Sequence, residues 1–259
     1  MLRGVVYLAY LASILLFHDA RLTFTVSWRP RARRRALTER FVQTQASRLL
    51  RAAKLITGLQ VVYQEPDFEL PDQFVLVTNH QSLVDIPVLI SKFRPYHLKF
   101  VAKRELMCKV PSVSKSLRYS EQAFVDRTGP FSGNYLALLR LSATSTAAQG
   151  RVGSPVIFPE GTRSRDGRLR AFHTAAFRVL AREMRLPVVV AAVDGGWRMR
   201  SLATFGNMGR YPYRITPVLL RAAPTTKEEA LVTLTDAHTA IAEQLDRWRG
   251  VNATGGAPG

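Results

Sequence analysis

The amino-acid sequence predicts an α/β protein with a largely parallel central sheet flanked by helices, and three observations support this. Seven short runs rich in β-branched residues alternate with stretches of helical periodicity. At 259 residues with 47% hydrophobic content, the chain is long enough to bury a core under such a sheet. Polar residues follow the ends of several runs, where α/β proteins place their sites.

The predicted strands are short, and helical segments separate most of them. The strands lie at 59–64, 74–78, 98–102, 123–126, 155–158, 187–193 and 214–220. The spacing of apolar residues predicts helices at 82–93, 103–118, 131–148 and 172–185, and a closing helix at 226–249. Strands that alternate with helices favour parallel pairing. We divide the chain into an N-terminal segment (1–57), one domain (58–249) and a flexible tail (250–259).

The N-terminal segment begins with an apolar run, "GVVYLAYLASILLF", at residues 4–17. As a helix, these 14 residues would be roughly 21 Å long, whereas a bilayer core of about 30 Å needs about 20 residues. His18, Asp19 and Arg21 follow directly, so we expect a helix too short to span. A signal peptide is an alternative, although no clear small-x-small cleavage site follows.

A basic region follows the apolar run. The stretch "LTFTVSW" leads into "RPRARRR", which holds five Arg in the seven residues 29–35, and residues 36–57 have amphipathic helical spacing up to Gly58. Apolar residues and a Trp beside a polybasic cluster predict anchoring to an anionic membrane surface. A buried helix beside a solvated basic loop is the alternative.

The charge of the whole chain agrees with an anionic partner. The 37 Lys and Arg against 19 Asp and Glu give a formal net charge of +18, which suits a nucleic acid, a membrane surface or a phosphorylated substrate. The sequence lacks zinc-finger spacing, an aromatic RNA-binding signature and a basic helix that continues into heptads. We therefore expect no nucleic-acid partner.

The single cysteine, Cys108, excludes a disulfide within the chain and fits a reducing, cytosol-facing compartment. The five histidines, at positions 18, 80, 97, 173 and 238, do not have metal-ligand spacing. We expect no metal site.

The first motif with catalytic character is "VLVTNHQSLVDIPVLI" at residues 75–90, where His80 directly follows a predicted strand. Five residues along a helix turn by about 500°, so Asp85 can reach His80 only if His80 lies in a non-helical turn. In that geometry His80 would act as a general base and Asp85 would orient its ring. His238 and Glu243 have the same spacing inside a predicted helix, so the strand–turn–helix context carries this prediction.

The second motif, "FPEGTRSRDG" at residues 158–167, also follows a predicted strand. Pro159 and Gly161 favour a tight turn, Thr162 offers a hydroxyl donor, and Arg163 offers a planar fork suited to phosphate oxygens. We interpret this stretch as an anion-binding turn. An ordinary glycine-containing turn with solvated arginines is the alternative.

A third stretch, "FVDRTG" at residues 124–129, presents Arg127 at the end of another predicted strand. Arg127 would serve the same anion as Arg163. A surface ion pair with Asp126 or another neighbour is the alternative for an isolated arginine.

The stretches "NHQSLVD", "FVDRTG" and "FPEGTRS", in this order, resemble the first three sequence blocks of the glycerolipid acyltransferase family, which includes 1-acyl-glycerol-3-phosphate acyltransferases. A fourth block resembles "LPVVVAAVDGG" at residues 186–196, so the resemblance covers roughly residues 60–200. It implies an αβ fold held to the membrane by N-terminal helices, at the cytoplasmic face of the inner or plasma membrane.

The resemblance also implies a reaction: transfer of a fatty acyl group from coenzyme A or acyl carrier protein to a lysophospholipid or glycerol-phosphate hydroxyl. The thioester is a co-substrate, and no cofactor is implied. His80 is implied as the catalytic base and Asp85 as its orienting partner. The implied acceptor-binding set is Arg127, Glu160, Gly161, Thr162 and Arg163.

Three departures from the family's pattern leave the acceptor open. The stretch "PSVSKSLRYSEQAFVDR" lacks the usual Gly-Trp pair and the glycines before the Arg, His173 and Thr174 stand where a Lys-Gly pair is usual, and Val190 stands where a second proline is common. The leading prediction is synthesis of phosphatidic acid from 1-acyl-glycerol-3-phosphate. The alternatives are acylation of another lysolipid, such as lyso-ornithine lipid, and a non-catalytic anionic-lipid-binding protein.

Overall fold

The computed structural model describes residues 2–108, 110–126, 131–146, 153–199, 204, 206 and 208–250. Within these residues, seven strands form one sheet: β1 (Val61–Tyr63), β2 (Val75–Thr78), β3 (Lys99–Lys103), β4 (Ala123–Val125), β5 (Pro155–Ile157), β6 (Val188–Asp194) and β7 (Tyr213–Arg221). The α-helices whose bounds lie within the described residues are α1 (Leu2–Thr25), α2 (Arg31–Thr57), α3 (Asp85–Lys92), α4 (Val113–Tyr119), α5 (Phe131–Thr146), α6 (Ala175–Met184) and α7 (Lys227–Arg249). The predicted α/β class and all seven predicted strands are confirmed.

The strand order is β1-β7-β6-β2-β5-β3-β4, and β7 runs antiparallel to β6 while the other described pairs are parallel. Strand β2 therefore lies in the middle, between β5 and β6. Its four residues are all buried, as are the seven of β6, which is typical of strands covered by helices on both faces.

Alternate residues of the central strands pack into two separate cores. Val75 and Val77 of β2 join the core under α5, α6 and α7, whereas Phe74 and Leu76 join the core under α2 and α3. This alternation follows from the two-residue period of a strand. It fixes the register of β2 and so fixes where its carboxyl end emerges.

One predicted helix in the 58–249 domain does not form as a single helix. The predicted helix over 103–118 is wrong, because a 3₁₀ turn covers Arg104–Met107 and α4 begins only at Val113. Pro111 lacks a backbone N–H and restricts the residue before it, which prevents a continuous helix. The other predicted helices are present, and residues 147–148 of the predicted helix over 131–148 and residues 251–259 of the predicted tail lie outside the described residues.

The N-terminal helix is longer than the apolar run predicted. Helix α1 has 24 residues, or roughly 36 Å, and is long and apolar enough to cross a membrane by length and composition. The polar residues after Phe17 do not end it, because His18 is buried against Phe41 and Asp19 accepts a bond from the Ser112 amide. The expectation of a helix too short to span is therefore wrong.

Helix α2 packs on the body of the protein beside α3 and α4. A buried cation joins α2 to the sheet, since Lys99 of β3 bonds the Glu39 carboxylate of α2 and the Ser120 carbonyl oxygen. The division of the chain at residue 57 stays a prediction.

Candidate active site

The candidate site lies at the carboxyl end of β2. After Thr78, residues 79–84 form a short connection before α3 begins at Asp85. The amide of Asn79 exchanges two hydrogen bonds with the backbone of Val193 in β6, at 2.8 and 2.9 Å, so this connection starts from a fixed point.

His80 and Asp85 form the pair that the sequence predicted. His80 lies in the non-helical connection, and its Nδ1 is 2.7 Å from Asp85 Oδ2. The Asp85 side chain is fully buried, whereas that of His80 is 16% exposed. No described residue bonds the other ring nitrogen, Nε2, of His80. That nitrogen is thus free to accept a proton from a substrate hydroxyl.

Several donors converge on the Asp85 carboxylate. Oδ2 also accepts from the backbone N–H groups of Gln81 and Ser82, at 2.7 and 2.9 Å, and Oδ1 accepts from the Tyr213 hydroxyl at 2.8 Å. Burial and the nearby Asp85 charge raise the pKa of Tyr213, so its hydroxyl keeps its proton and remains a donor. These hydrogen bonds satisfy the buried Asp85 carboxylate and fix its position, as an orienting partner of histidine requires.

The 158–167 stretch holds the main chain of His80. Glu160 Oε1 accepts from the His80 N–H at 2.7 Å, and the Ser164 N–H donates to the His80 carbonyl oxygen at 2.7 Å. Phe158 stacks on the imidazole with ring centroids 4.1 Å apart. Two stretches that are 80 residues apart in sequence therefore form one site.

Glu160 is buried, and both of its carboxylate oxygens accept backbone N–H groups. Oε2 accepts from Arg170 at 3.1 Å, which closes the loop over Glu160. Burial raises the pKa of Glu160, although the hydrogen bonds and the nearby His80 oppose this. These contacts give Glu160 a positioning role, and its predicted role as an acceptor ligand stays a prediction.

Two residues of the predicted anion-binding turn, Thr162 and Arg163, face solvent. Gly161 has φ of +66°, a left-handed conformation that glycine adopts without strain. Thr162 and Arg163 are exposed beside it, and no described residue bonds the Arg163 guanidinium. Their roles, and that of Gly161, in acceptor binding stay predictions.

Arg127 lies outside the described residues. Strand β4, which ends two residues before it, is separated from β2 by β5 and β3. With neighbouring strands about 4.8 Å apart, the end of β4 is roughly 14 Å from the end of β2.

Sequence reasoning missed two groups that contact the Asp85 carboxylate. Tyr213 comes from the start of β7, 128 residues away. Gly196 lies so close that an added Cβ would stand 3.0 Å from Asp85 Oδ1 and 3.2 Å from Ser82 Oγ. The glycine at the end of "LPVVVAAVDGG" was the available signal for this close approach, whereas no local signal marked Tyr213.

The geometry defines what the site can do chemically. A histidine with one nitrogen on a buried carboxylate and the other open can serve as a general base toward a hydroxyl. Among the described residues, no three His, Cys, Asp or Glu side chains are grouped to hold a metal ion.

A sequence model of the family described as Acyltransferase matches residues 56–194, which is more than half of the chain. The chain belongs to the acyltransferase family. The matched range contains both His80 and Asp85 and the 158–167 stretch. The acyltransferase match ends at the last residue of β6, so Tyr213 and α7 lie beyond it.

Curated relatives of this acyltransferase carry one activity in their names. The 1-acyl-sn-glycerol-3-phosphate acyltransferase of Cocos nucifera is 33% identical over 131 residues, which is 49% of this chain and 40% of that protein. The alpha enzyme of that name from Mus musculus is 29% identical over 177 residues, 65% of this chain and 58% of that protein. The chain thus aligns with about half the length of these relatives.

A solved structure shares the fold. The crystal structure of the 1-acyl-sn-glycerophosphate acyltransferase PlsC from Thermotoga maritima matches with a TM-score of 0.68 and covers 96% of this chain and 95% of that one. At 18% identity, the comparison shows a shared fold. This shared fold includes the N-terminal helices.

Proposed function

We propose that this acyltransferase moves a fatty acyl group from acyl-CoA or acyl carrier protein to the free hydroxyl of 1-acyl-glycerol-3-phosphate, giving phosphatidic acid. The observation that carries the proposal is the His80–Asp85 pair, with Nε2 open at the carboxyl edge of the sheet. The names of the relatives from Cocos nucifera and Mus musculus support the choice of acceptor.

The proposed reaction has two steps. His80 Nε2 takes the proton of the acceptor hydroxyl as its oxygen attacks the thioester carbonyl, which forms a C–O bond and a tetrahedral oxyanion. Collapse breaks the C–S bond, and the leaving thiolate takes the proton from the imidazolium. The buried Asp85 carboxylate stabilises the imidazolium between the two steps. A thioester is already an activated donor, so the protein supplies the base and stabilisation of the oxyanion.

We assign acceptor binding to the exposed middle of the 158–167 stretch. Arg163 and Thr162 lie exposed on the turn whose Glu160 holds His80, so a phosphate bound there would bring its glycerol hydroxyl toward the imidazole. A guanidinium fork matches a phosphate monoester in geometry and charge. Arg127 completes this proposed set.

A second acceptor class rests on a specific contact. The ring of His173 lies so close to Gly161 that an added Cβ there would stand 3.2 Å from His173 Cδ2. Because this histidine stands where the acyltransferase family usually has a Lys-Gly pair, another lysolipid, such as lyso-ornithine lipid, is the second candidate.

An acceptor panel under one thioester donor decides between the two classes. We expect release of free thiol with 1-acyl-glycerol-3-phosphate and a low kcat/KM with lyso-ornithine lipid or lysophosphatidylcholine. Equal efficiency for acceptors with and without a phosphate monoester would reject the proposed acceptor. Absence of acyl transfer to every lysolipid tested would reject the proposed reaction.

Arg163→Lys tests the guanidinium fork directly. We expect the acceptor KM to rise about tenfold with an unchanged donor KM, because lysine keeps the charge but loses a charge-assisted hydrogen bond. Arg168→Lys, at an exposed arginine directly after the same stretch, is the matched control and should leave both KM values unchanged. A common loss for all acceptors in Arg163→Lys would indicate a structural arginine instead.

We also propose that the N-terminal helices bind an anionic membrane surface, at the cytoplasmic face of the inner or plasma membrane. Large apolar side chains are exposed along α1 and just after it: Leu2, Val5, Val6, Leu16, Phe17, Phe24 and Trp28. The five arginines of residues 29–35 follow them directly. Such a combination joins apolar insertion to attraction by anionic lipid.

Vesicle sedimentation tests the membrane proposal. The triple substitution Phe17→Gln, Phe24→Gln and Trp28→Gln should weaken binding to anionic vesicles, and salt should weaken the binding that remains. Leu231→Gln with Val232→Gln is the control, because these residues are exposed apolar side chains of α7 far along the chain. Equal loss in both variants would contradict an N-terminal anchor.

A further inference from the structure

Arg249, the last residue of α7, bonds two elements of the active-site region. Its Nε and Nη2 donate to the two carboxylate oxygens of Asp194, at 3.1 and 2.6 Å, and Nη2 also donates to the Gly167 carbonyl oxygen at 2.9 Å. A guanidinium that engages a carboxylate through two nitrogens fixes both geometry and charge. Arg249 lies outside the range matched by the family model.

Asp194, the last residue of β6, is buried beneath this arginine. Burial alone would raise the pKa of Asp194, but the hydrogen bonds and charge of Arg249 outweigh it and hold the pKa below its ordinary value. The carboxylate is therefore an acceptor at neutral pH.

The Asp194 carboxylate determines how the Gln81 amide lies. Gln81 Nε2 donates to Asp194 Oδ1 at 3.2 Å, and Gln81 Oε1 accepts from the Trp197 N–H at 3.4 Å. With a carboxylate on one side and an N–H on the other, a single orientation of the amide satisfies both neighbours. Gln81 is buried, and its own N–H donates to Asp85 at 2.7 Å.

We propose that Arg249 is a positioning residue of the active site, acting through Asp194 and Gln81 to hold the His80–Asp85 pair in its reactive geometry. This inference rests on the proposed function.

Other contacts keep α7 docked without Arg249. Ile241 and Leu245 are buried in the core, and Gly250 caps the helix in a left-handed conformation, with its N–H on the Asp246 carbonyl oxygen. Loss of the Arg249 side chain should therefore affect the alignment of the site more than the fold.

The test uses Arg249→Gln and Arg249→Lys beside Arg247→Gln. Arg247 is exposed in the same helical turn, where its guanidinium bonds the Gln244 side chain. We expect Arg249→Gln to lower kcat roughly tenfold to a hundredfold, the range for misplaced catalytic groups, with little change in either KM. Arg249→Lys should be intermediate, because it keeps a charge beside Asp194, and Arg247→Gln should match the wild type.

A double-mutant cycle separates positioning from a general structural role. If Arg249 acts through Gln81, then Arg249→Gln should lower kcat much less in a Gln81→Ala background than in the wild type. Additive losses in kcat, or wild-type kcat in a folded Arg249→Gln protein, would overturn the inference. Should Arg249→Gln fail to fold, Arg249→Lys and Asp194→Asn take its place in the cycle with the same criteria. A wild-type protein without acyl transfer would reject the proposed function instead.

Discussion

The 80–85 turn and the 238–243 segment of α7 both place a histidine five residues before a carboxylate, but their backbones differ. The first is a non-helical connection and the second is a helix. His80 bonds Asp85 at 2.7 Å, whereas the His238 ring packs edge-on against Phe172, with centroids 4.9 Å apart, and no hydrogen bond joins it to Glu243. In a helix, a rotation of about 500° over five residues places the two side chains on different faces. The spacing acquires chemical meaning only from the backbone between the two residues.

The backbone also determines which carboxylate can collect donors. The N–H groups of Gln81 and Ser82 lie outside a helix and point at Asp85. Around Glu243, in the interior of α7, backbone N–H groups are used by carbonyl oxygens four residues earlier. A buried carboxylate supplied with several donors therefore arises at the start of α3 and not inside α7.

Removing each imidazole gives the largest expected difference between the two regions. His80→Ala should lower kcat by about 10⁴-fold, because it removes the general base, while circular dichroism and the melting temperature stay close to wild type. His238→Ala should leave kcat unchanged. Thiol release under saturating donor measures both, and wild-type turnover in folded His80→Ala would end the mechanism.

Changing each carboxylate to its amide gives the next largest difference. Asp85→Asn should lower kcat by about 10³-fold, because the amide removes the charge that stabilises the imidazolium and permits the wrong tautomer of His80. Glu243→Gln should have no effect on turnover. Similar rates for Asp85→Asn and Glu243→Gln would show that the turn does not give the carboxylate its proposed role.

Removing one donor from the Asp85 carboxylate gives the smallest difference. Tyr213→Phe deletes a buried hydrogen bond to a charged group, so the free energy of unfolding should fall by about 1.5–3 kcal/mol, with a drop in kcat smaller than that of Asp85→Asn. Denaturant unfolding and thiol release measure the two effects. Tyr211→Phe, an exposed neighbour, is the control. Unchanged stability in Tyr213→Phe would contradict the geometry of this bond.

The sequence predicted the local features of this protein well. Runs of β-branched residues gave all seven strands within two residues of their ends, and the polar turn after β2 gave His80 and Asp85. The predicted helix over 103–118 is wrong because Pro111 interrupts helical geometry even where the apolar spacing is helical. The apolar run also underestimated α1, because burial and hydrogen bonding of polar residues depend on partners far along the chain.

Residues that complete the site from a distance were not predicted, for the same physical reason. Tyr213 meets Asp85 across 128 residues, and Arg249 meets Asp194 across 55. Neither contact leaves a periodic or spacing signal, because periodicity records which face of an element is buried and not which partner lies opposite. The geometry of the sheet had to be known before these residues could be assigned.

The position of β2 in the sheet has a consequence for the order of folding. Its neighbours β5 and β6 come much later in the chain, and Asn79 bonds Val193 across 114 residues. Closing such long loops costs conformational entropy, which only the contacts formed afterwards offset. Ribosomes add about 5–20 residues per second. During synthesis, β2 therefore emerges several seconds before its partners exist. The connection at residues 79–84 therefore cannot make its contacts with β6 until more than a hundred further residues have been synthesised.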